Sequence, residues 1–252
     1  MLSDLLPTEV FDVDYLYFYE AFQTPAVNEA ETGLITRLLD LHGPQDVLDA
    51  CCGAGRIANR LAARGHRVTA IDANPLFCRL GAAEAGGLGV GVHYRNEDIR
   101  QLADEGGFDV VLCWFSSFGY WDDRTNVDIL RRFRRALRPG GQLLLDLPNP
   151  ALLLRELGPG GREIHRVRRV GESDVMEDRL AIDLESSELQ LNRRIVRNGN
   201  DRTVQLACRL YTPSELSTRL KRTRFGLTAI AGDDGGLLHA DSSRQLVLAT
   251  AI

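Results

Sequence analysis

Residues 47–75, VLDACCGAGRIANRLAARGHRVTAIDANP, restrict the fold more than any other stretch of this chain. A short apolar run ends abruptly in an acid, Asp49, and a turn containing Gly53 and Gly55 follows. A helical pattern then closes at Gly65, placed as the residue just past a helix end. A second apolar run ends in a second acid, Asp72, and Asn74-Pro75 reads as N-cap and first helical residue of the next helix. Two strands joined by a helix must lie parallel, with the helix packed on one face of the sheet. Glycine lets the backbone come close to a ligand where a side chain would collide. A carboxylate ending the second strand is placed to accept hydrogen bonds from a ribose diol.

That pattern is the nucleoside-binding corner of a Rossmann-like sheet, and the rest of the chain extends it. VGVHYRNED, FDVVLCWF and QLLLDL are three more strands, and residues 125–137 are helical, with Val127, Leu130, Phe133, Ala136 and Leu137 on one face. After Pro150 the period changes from that of helices to that of strands. Residues 162–211 alternate, most clearly in TVQLACRL, where Val204, Leu206, Cys208 and Leu210 point one way, and Asn198-Gly199-Asn200 is a hairpin signal. TPSE opens a last helix through a capping box of Thr212 and Glu215 with Pro213 between them, before two final strands. The expected fold is therefore α/β: a seven-stranded doubly wound Rossmann-like sheet with an inserted small antiparallel β-sheet and an N-terminal lid helix. The expected segments are lid helices over 1–44, a core over 45–157, the antiparallel insertion on the substrate side over 158–211, and the closing helix and strands over 212–252.

Composition excludes several classes. With 44% hydrophobic and 26% charged residues the chain is globular in character. Its apolar runs are too short to cross a bilayer, so no membrane association is expected. The opening MLSDLLPTEV has no basic segment of the kind a secretory signal carries. Five cysteines without a CxxC pair fit reduced thiols, and the expected location is cytoplasmic. A net charge of −5 argues against nucleic acid as a partner. The arginines of the insertion (Arg162, Arg166, Arg168, Arg169, Arg193, Arg194 and Arg197) are interleaved with acids and read as a solvated sheet face. No metal site is expected, at Cys51–Cys52 or elsewhere.

Gly53-x-Gly55-x-x-Ala58 also fits the loose dinucleotide pattern, but the strand delivers Asp49 to the turn. A negative charge there suits a cationic amino-acid group better than the pyrophosphate that a helix N-terminus receives. In this respect, and in four further segments, the chain resembles the class I S-adenosylmethionine (SAM)-dependent methyltransferases. VLDACCGAG, VTAIDANP, NEDIRQL, FDVVLCWFSSFGYW and LRPGGQLLLDLPNP are similar to the five motifs of that family, in order, across most of residues 45–150. The family usually has glycine where this chain has Cys51, a small apolar substitute.

The resemblance implies S-adenosylmethionine as cofactor and S-adenosylhomocysteine as product. It places Asp49, Arg56 and the backbone around Cys51, Gly53 and Gly55 at the methionine portion. It places Asp72 on the ribose, Ala73 beside the adenine, Asp98 and Ile99 at the adenine amino group and ring edge, and Phe115 and Ser116 facing the sulfonium. The structural alternatives are helix capping for Asp49, a solvated loop for Asp98 and an exposed first-turn side chain for Arg56. Asp146 either faces the site or bonds locally.

The finer pattern, YLYFYEAF before the first motif together with the insertion, RLYTPSEL and ADSSRQLVLA, resembles small-molecule methyltransferases. Among them it is similar to the amine-methylating enzymes of amino-sugar and lincosamide-type antibiotic pathways. This implies a small-molecule acceptor methylated on nitrogen; an O- or C-methyltransferase is the alternative, and an RNA methyltransferase is a further one that the acidic balance disfavours. Phe118, Tyr120 and Asn149 are expected on the acceptor side, with His239, between the last two strands at the ligand edge of the sheet, as a catalytic candidate touching substrate. Residues 11–22, FDVDYLYFYEAF, hold six aromatics; on one helix Phe11, Tyr15, Phe18 and Phe22 form a stripe with Tyr19 at its flank. Tyr19 and then Tyr15 are the expected catalytic and substrate tyrosines, each offering an apolar face and a hydroxyl. Tyr17, off the stripe, belongs at the surface or in a contact between copies of a homo-oligomer.

Overall fold

The computed structural model describes residues 7–252; residues 1–6, the beginning of the expected lid segment, lie outside the described residues. Seven strands form the central sheet: β1 (Asp46–Ala50), β2 (Arg67–Asp72), β3 (Val92–Asn96), β4 (Phe108–Cys113), β5 (Leu137–Pro148), β10 (Phe225–Ala231) and β11 (Arg244–Ala251). Their order is β10-β11-β5-β4-β1-β2-β3, with β11 antiparallel to its neighbours and β1 to β5 parallel. The chain winds outward from β1 to β3 and then crosses to β4 on the other side of β1. That reversal opens a crevice at the carboxyl ends of β1 and β4.

The helices begin on a repeated two-residue signal. Thr24-Pro25, Asn74-Pro75, Asn149-Pro150 and Thr212-Pro213 each supply a side-chain cap and a proline as first helical residue. They open α2 (Pro25–Leu38), α4 (Pro75–Leu88), α6 (Pro150–Leu157) and α7 (Pro213–Arg222), the last with the expected capping box. The helix after the glycine turn, α3 (Ala58–Ala63), is shorter than the sequence period suggests because the turn extends to Ile57. The helix α5 (Asp123–Ala136) buries Ile129, Leu130, Phe133 and Ala136, while the expected Val127 is only half-buried.

Alternation along the strands sorts the core into two layers. Leu48, Val111, Leu143 and Leu145 face α5 and α7; Val47, Val110, Leu112 and Leu144 face α2 and α3. The helix α5 stops at Ala136, just before RPGG, and β5 starts earlier than QLLLDL: it runs from Leu137 through both glycines, with a register irregularity against β4.

The insertion is a four-stranded antiparallel sheet: β6 (Ile164–Val170), β7 (Asp174–Asp183), β8 (Glu188–Arg197) and β9 (Asn200–Arg209). Asn198 and Gly199 turn β8 into β9, both with positive φ (52° and 77°), as a two-residue hairpin requires. Its arginines are not all solvated: the side chains of Arg193 and Arg168 face inward, at 4% and 20% exposure, because they fall on the same alternation as Ile195 and Ile164.

The aromatic stretch is broken where the sequence suggests one helix. Asp12 caps α1 (Val13–Tyr19) by accepting from the N–H groups of Asp14 and Tyr15, so Phe11 precedes the helix and Phe22 follows it. Phe18 is fully buried against Met176 and Ile195 of the inserted sheet, and Phe22 is 57% exposed. Tyr17 is half-buried: its hydroxyl donates to Asp174 at 2.9 Å, and the Arg197 guanidinium lies 3.8 Å from its ring centroid. The inserted sheet therefore holds α1. Among the described residues no helix is long and apolar enough to cross a membrane.

Candidate active site

A cleft with about 1030 Å³ of empty space, counted with the space open to solvent, lies at the carboxyl ends of β1, β2 and β4. Asp49 reaches it from the end of β1, on the face shared with Val47, and is 2% exposed. Burial pushes its carboxyl up to about 7; nearby Arg56 opposes the rise and Asp72 adds to it. The Ala58 N–H at the start of α3 also opposes the rise. Asp49 Oδ2 is buried with no hydrogen-bond partner.

Arg56, also in the cleft wall, is anchored by one guanidinium nitrogen. Nη1 donates to Asn28 Oδ1 at 3.1 Å and to Glu31, while the buried Nη2 has no partner. The cleft thus presents one unsatisfied carboxylate oxygen and one unsatisfied guanidinium nitrogen, both buried. A buried polar atom without a hydrogen-bond partner is costly, and a ligand bearing both a cation and an anion relieves both.

At the end of β2, Asp72 accepts from the N–H groups of Gly53 (2.9 Å) and Asn74 (2.8 Å), which fix its carboxylate while lone pairs remain. Burial raises its pKa, with the two backbone bonds opposing. Asp98 caps a single 3-10 turn at Ile99–Gln101 and is engaged by Arg100 through the backbone N–H and Nε, each at 2.9 Å. Asp98, Ile99, Ala73 and Phe77 line one end of the cleft.

Beyond β4 the chain turns through Phe115 and Ser116, both at φ near +60°, where L-residues are uncommon. Asp146 of β5 holds the bend: its Oδ2 accepts from Phe115 N–H at 2.8 Å and from Arg244 at 2.7 Å. Arg244 also pairs with Glu31 at 3.2 Å, and Glu31 accepts from Trp114 Nε1 at 3.1 Å. This buried chain from Asp146 through Arg244 and Glu31 to Arg56 has no signal in the sequence. Asp146 and Arg244 meet only through the register of β5 against β11. Of the two readings of Asp146, local bonding is the one observed.

The expected residues separate into two groups. Asp49, Cys51, Gly53, Arg56, Asp72, Ala73, Asp98, Ile99, Phe115, Tyr15 and Tyr120 all line the cleft. Gly55 does not; it makes room for Tyr94, because a Cβ there would collide with the Tyr94 hydroxyl. Ser116 is displaced by Ser117, since its backbone is turned to bond Asp146 and Tyr120. Phe118 is in the core beside Tyr211, their centroids 5.9 Å apart. Asn149 braces the loop before β11 by donating to the carbonyls of His239 (3.0 Å) and Ser242 (2.8 Å). His239 is exposed and does not line the cleft, because that loop turns its side chain to the surface. Tyr19 does not line the cleft but stacks on Tyr15, which does (centroids 4.4 Å, 31°), and meets Phe115 edge-on at 6.2 Å. Phe11, from the expected aromatic stripe, and Phe77, Trp114 and Trp121, which no sequence argument singled out, complete the apolar wall.

A doubly wound sheet with a glycine turn and two carboxylates at its switch point defines a Rossmann-like nucleoside-binding domain. Residues 47–141 match the family described as a methyltransferase domain. The chain is 35% identical over 126 residues to a ubiquinone biosynthesis O-methyltransferase of Xanthomonas oryzae pv. oryzae, covering 49% of this chain and 51% of that protein. It thus spans about half the length of that relative. In structure it is similar to the CcbJ methyltransferase of Streptomyces caelestis, with a TM-score of 0.76 and 19% identity over 89% of this chain and 90% of the other. It is also similar to SAM-bound CalS10, an amino pentose methyltransferase of Micromonospora echinaspora, with a TM-score of 0.70 and 16% identity over 99% of each chain. The fold is therefore the class I SAM methyltransferase fold with an added four-stranded antiparallel sheet.

Proposed function

We propose that this chain is an S-adenosylmethionine-dependent methyltransferase acting on a small molecule, with an amine nitrogen as acceptor. The observation that carries the reading is the pair of buried, unsatisfied atoms in the cleft, Asp49 Oδ2 and Arg56 Nη2. An α-amino acid carries an ammonium for the first and a carboxylate for the second. Asp72, fixed by two N–H groups, is set for the ribose hydroxyls. Ala73, Phe77 and Ile99 offer apolar surface to the adenine, with Asp98 beside them.

When bound, S-adenosylmethionine supplies a methyl group activated on a sulfonium. The protein's share is orientation and exclusion of water, which together supply up to about 7–11 kcal/mol in favourable cases. Phe11, Tyr15, Trp114 and Phe115 enclose the cleft with apolar surface. Burial holds the Tyr15 and Tyr120 hydroxyls protonated, so they act as hydrogen-bond partners and not as bases at neutral pH. Among the described residues no histidine lines the cleft. A neutral amine, already nucleophilic, suits such a site better than a hydroxyl that must lose its proton. The likeness to an amino pentose methyltransferase supports the same reading.

The O-methyltransferase relative supports oxygen as the second acceptor class. Calorimetry with S-adenosylhomocysteine and with NAD tests the cofactor, and binding of NAD alone sinks the proposal. Incubation of amine and phenol panels with labelled SAM tests the acceptor. Transfer to phenols only would replace nitrogen with oxygen.

A further inference from the structure

The inserted sheet carries charge where its pattern calls for apolar side chains. Inward positions on β8 read Leu191, Arg193, Ile195, and on β7 Met176, Asp178, Leu180. Arg193 and Asp178 are paired directly across the register, each 4% exposed. A buried ion pair stabilises a fold no better than apolar residues of similar volume, so packing does not account for it.

Nor do the charges cancel. Asp178 serves two guanidinium groups, accepting from Arg193 Nε at 2.6 Å and Nη2 at 2.9 Å, and from Arg168 Nη1 at 3.0 Å. Arg193 Nη2 also reaches the Tyr19 hydroxyl at 3.4 Å, whereas the buried Nη1 has no partner. The Arg168 guanidinium lies 4.5 Å from the Tyr19 ring centroid and 5.8 Å from that of Phe22. With Arg168 one-fifth exposed and Phe22 more than half exposed, this side of the cluster meets solvent. Tyr19 in turn stacks on Tyr15 of the cleft wall. One net positive charge with an unsatisfied donor is thus held behind Tyr19 and Tyr15, two aromatic rings from the cleft.

We infer that Arg193 and Arg168 form an anion subsite for the methyl acceptor, so that the molecule methylated carries a carboxylate or phosphate group besides its nucleophile. This assignment rests on the methyltransferase reading for the word acceptor, but not for the subsite itself. An arginine fork receives either anion in charge-assisted hydrogen bonds, and Tyr19 supplies a flat apolar floor beside it.

The test titrates the protein, with and without saturating S-adenosylhomocysteine, with benzoate, with its neutral counterpart benzamide, and with inorganic phosphate. Wild type is expected to bind benzoate at least about tenfold more tightly than benzamide, or to bind phosphate if the acceptor bears that group. The double substitution Arg193→Met with Asp178→Leu removes the pair as a unit, leaving no half of it unpaired. It should erase the anion preference while leaving S-adenosylhomocysteine affinity unchanged. If that variant fails to fold, Arg168→Gln, nearer the surface, should lower benzoate or phosphate affinity several-fold. Equal binding of benzoate and benzamide without phosphate binding, or a preference that survives these substitutions, overturns the inference. Loss of S-adenosylhomocysteine binding with the anion preference intact would overturn the methyltransferase reading and leave the subsite standing.

Discussion

Gly53 and Gly55 stand two residues apart in one turn, both with positive φ (56° and 81°), yet the space around them separates their roles. A Cβ at Gly53 would meet nothing within 4 Å, whereas one at Gly55 would collide with the Tyr94 hydroxyl and lie 3.1 Å from Gly81 Cα. Gly55→Ala is therefore expected to cost about 2 kcal/mol or more, from left-handed backbone and overpacking together. Gly53→Ala should cost about 1 kcal/mol from the backbone alone but weaken S-adenosylhomocysteine binding, because Gly53 faces the cleft. Urea unfolding and calorimetry on the two variants check this; equal stability losses would refute the distinction. Cys51 adopts φ 65° in the same turn without being glycine. That backbone gives the departure from the usual glycine a physical meaning: the chain tolerates a strained residue where it bends away from β1.

At the scale of elements, the tie between α1 and the inserted sheet decides the shape of the cleft. Arg202 of β9 donates to Asp14 at 2.7 Å, to Asp12, and to the Glu9 carbonyl at 3.2 Å, gripping the start of α1. Arg197 adds a bond to Asp14 at 2.8 Å. Arg202 is one-third exposed, so Arg202→Ala should cost the whole protein only about 1 kcal/mol or less. Its local effect should be larger, since Phe11 and Tyr15 reach the cleft from this segment. Hydrogen exchange over residues 13–19 is expected to speed up while the strands of the central sheet keep their protection, and S-adenosylhomocysteine affinity should fall several-fold. Unchanged exchange in α1 would show that packing of Phe18 alone holds it.

For the whole molecule, two buried acids set the response to pH. Asp49 titrates near 7 and Asp146 near 6, both raised by burial, against an unfolded value of 3.8. Between those values the unfolded chain has ionised and the folded one has not, so stability falls as pH rises from about 4, up to about 6 for Asp146 and about 7 for Asp49. Asp49→Asn should therefore lose less melting temperature than wild type between pH 5 and 7. The ammonium of a bound ligand favours the ionised carboxylate, so S-adenosylhomocysteine affinity should rise over the same interval, by at most about tenfold per pH unit, and Asp49→Asn should abolish the rise. A flat wild-type profile would count against Asp49 as the ammonium partner. Much of this was legible beforehand, because the order of strands and helices, the glycine turn and the acids ending β1 and β2 are local patterns with local causes. The insertion was legible too, through its period of two and its Asn-Gly turn, but which of its arginines face inward was not. That depends on what covers the sheet, and a charged residue at an inward position looks like any surface arginine until α1 packs over it. The same holds for Asp146, Arg244 and Glu31, brought together by cross-strand register, and for His239, turned out by its loop. Alternation and punctuation in the sequence determined the sheet, its switch point and the acids that mark it. Tertiary packing alone decided which buried charges are left without a partner, because burial and pairing arise only when distant segments meet.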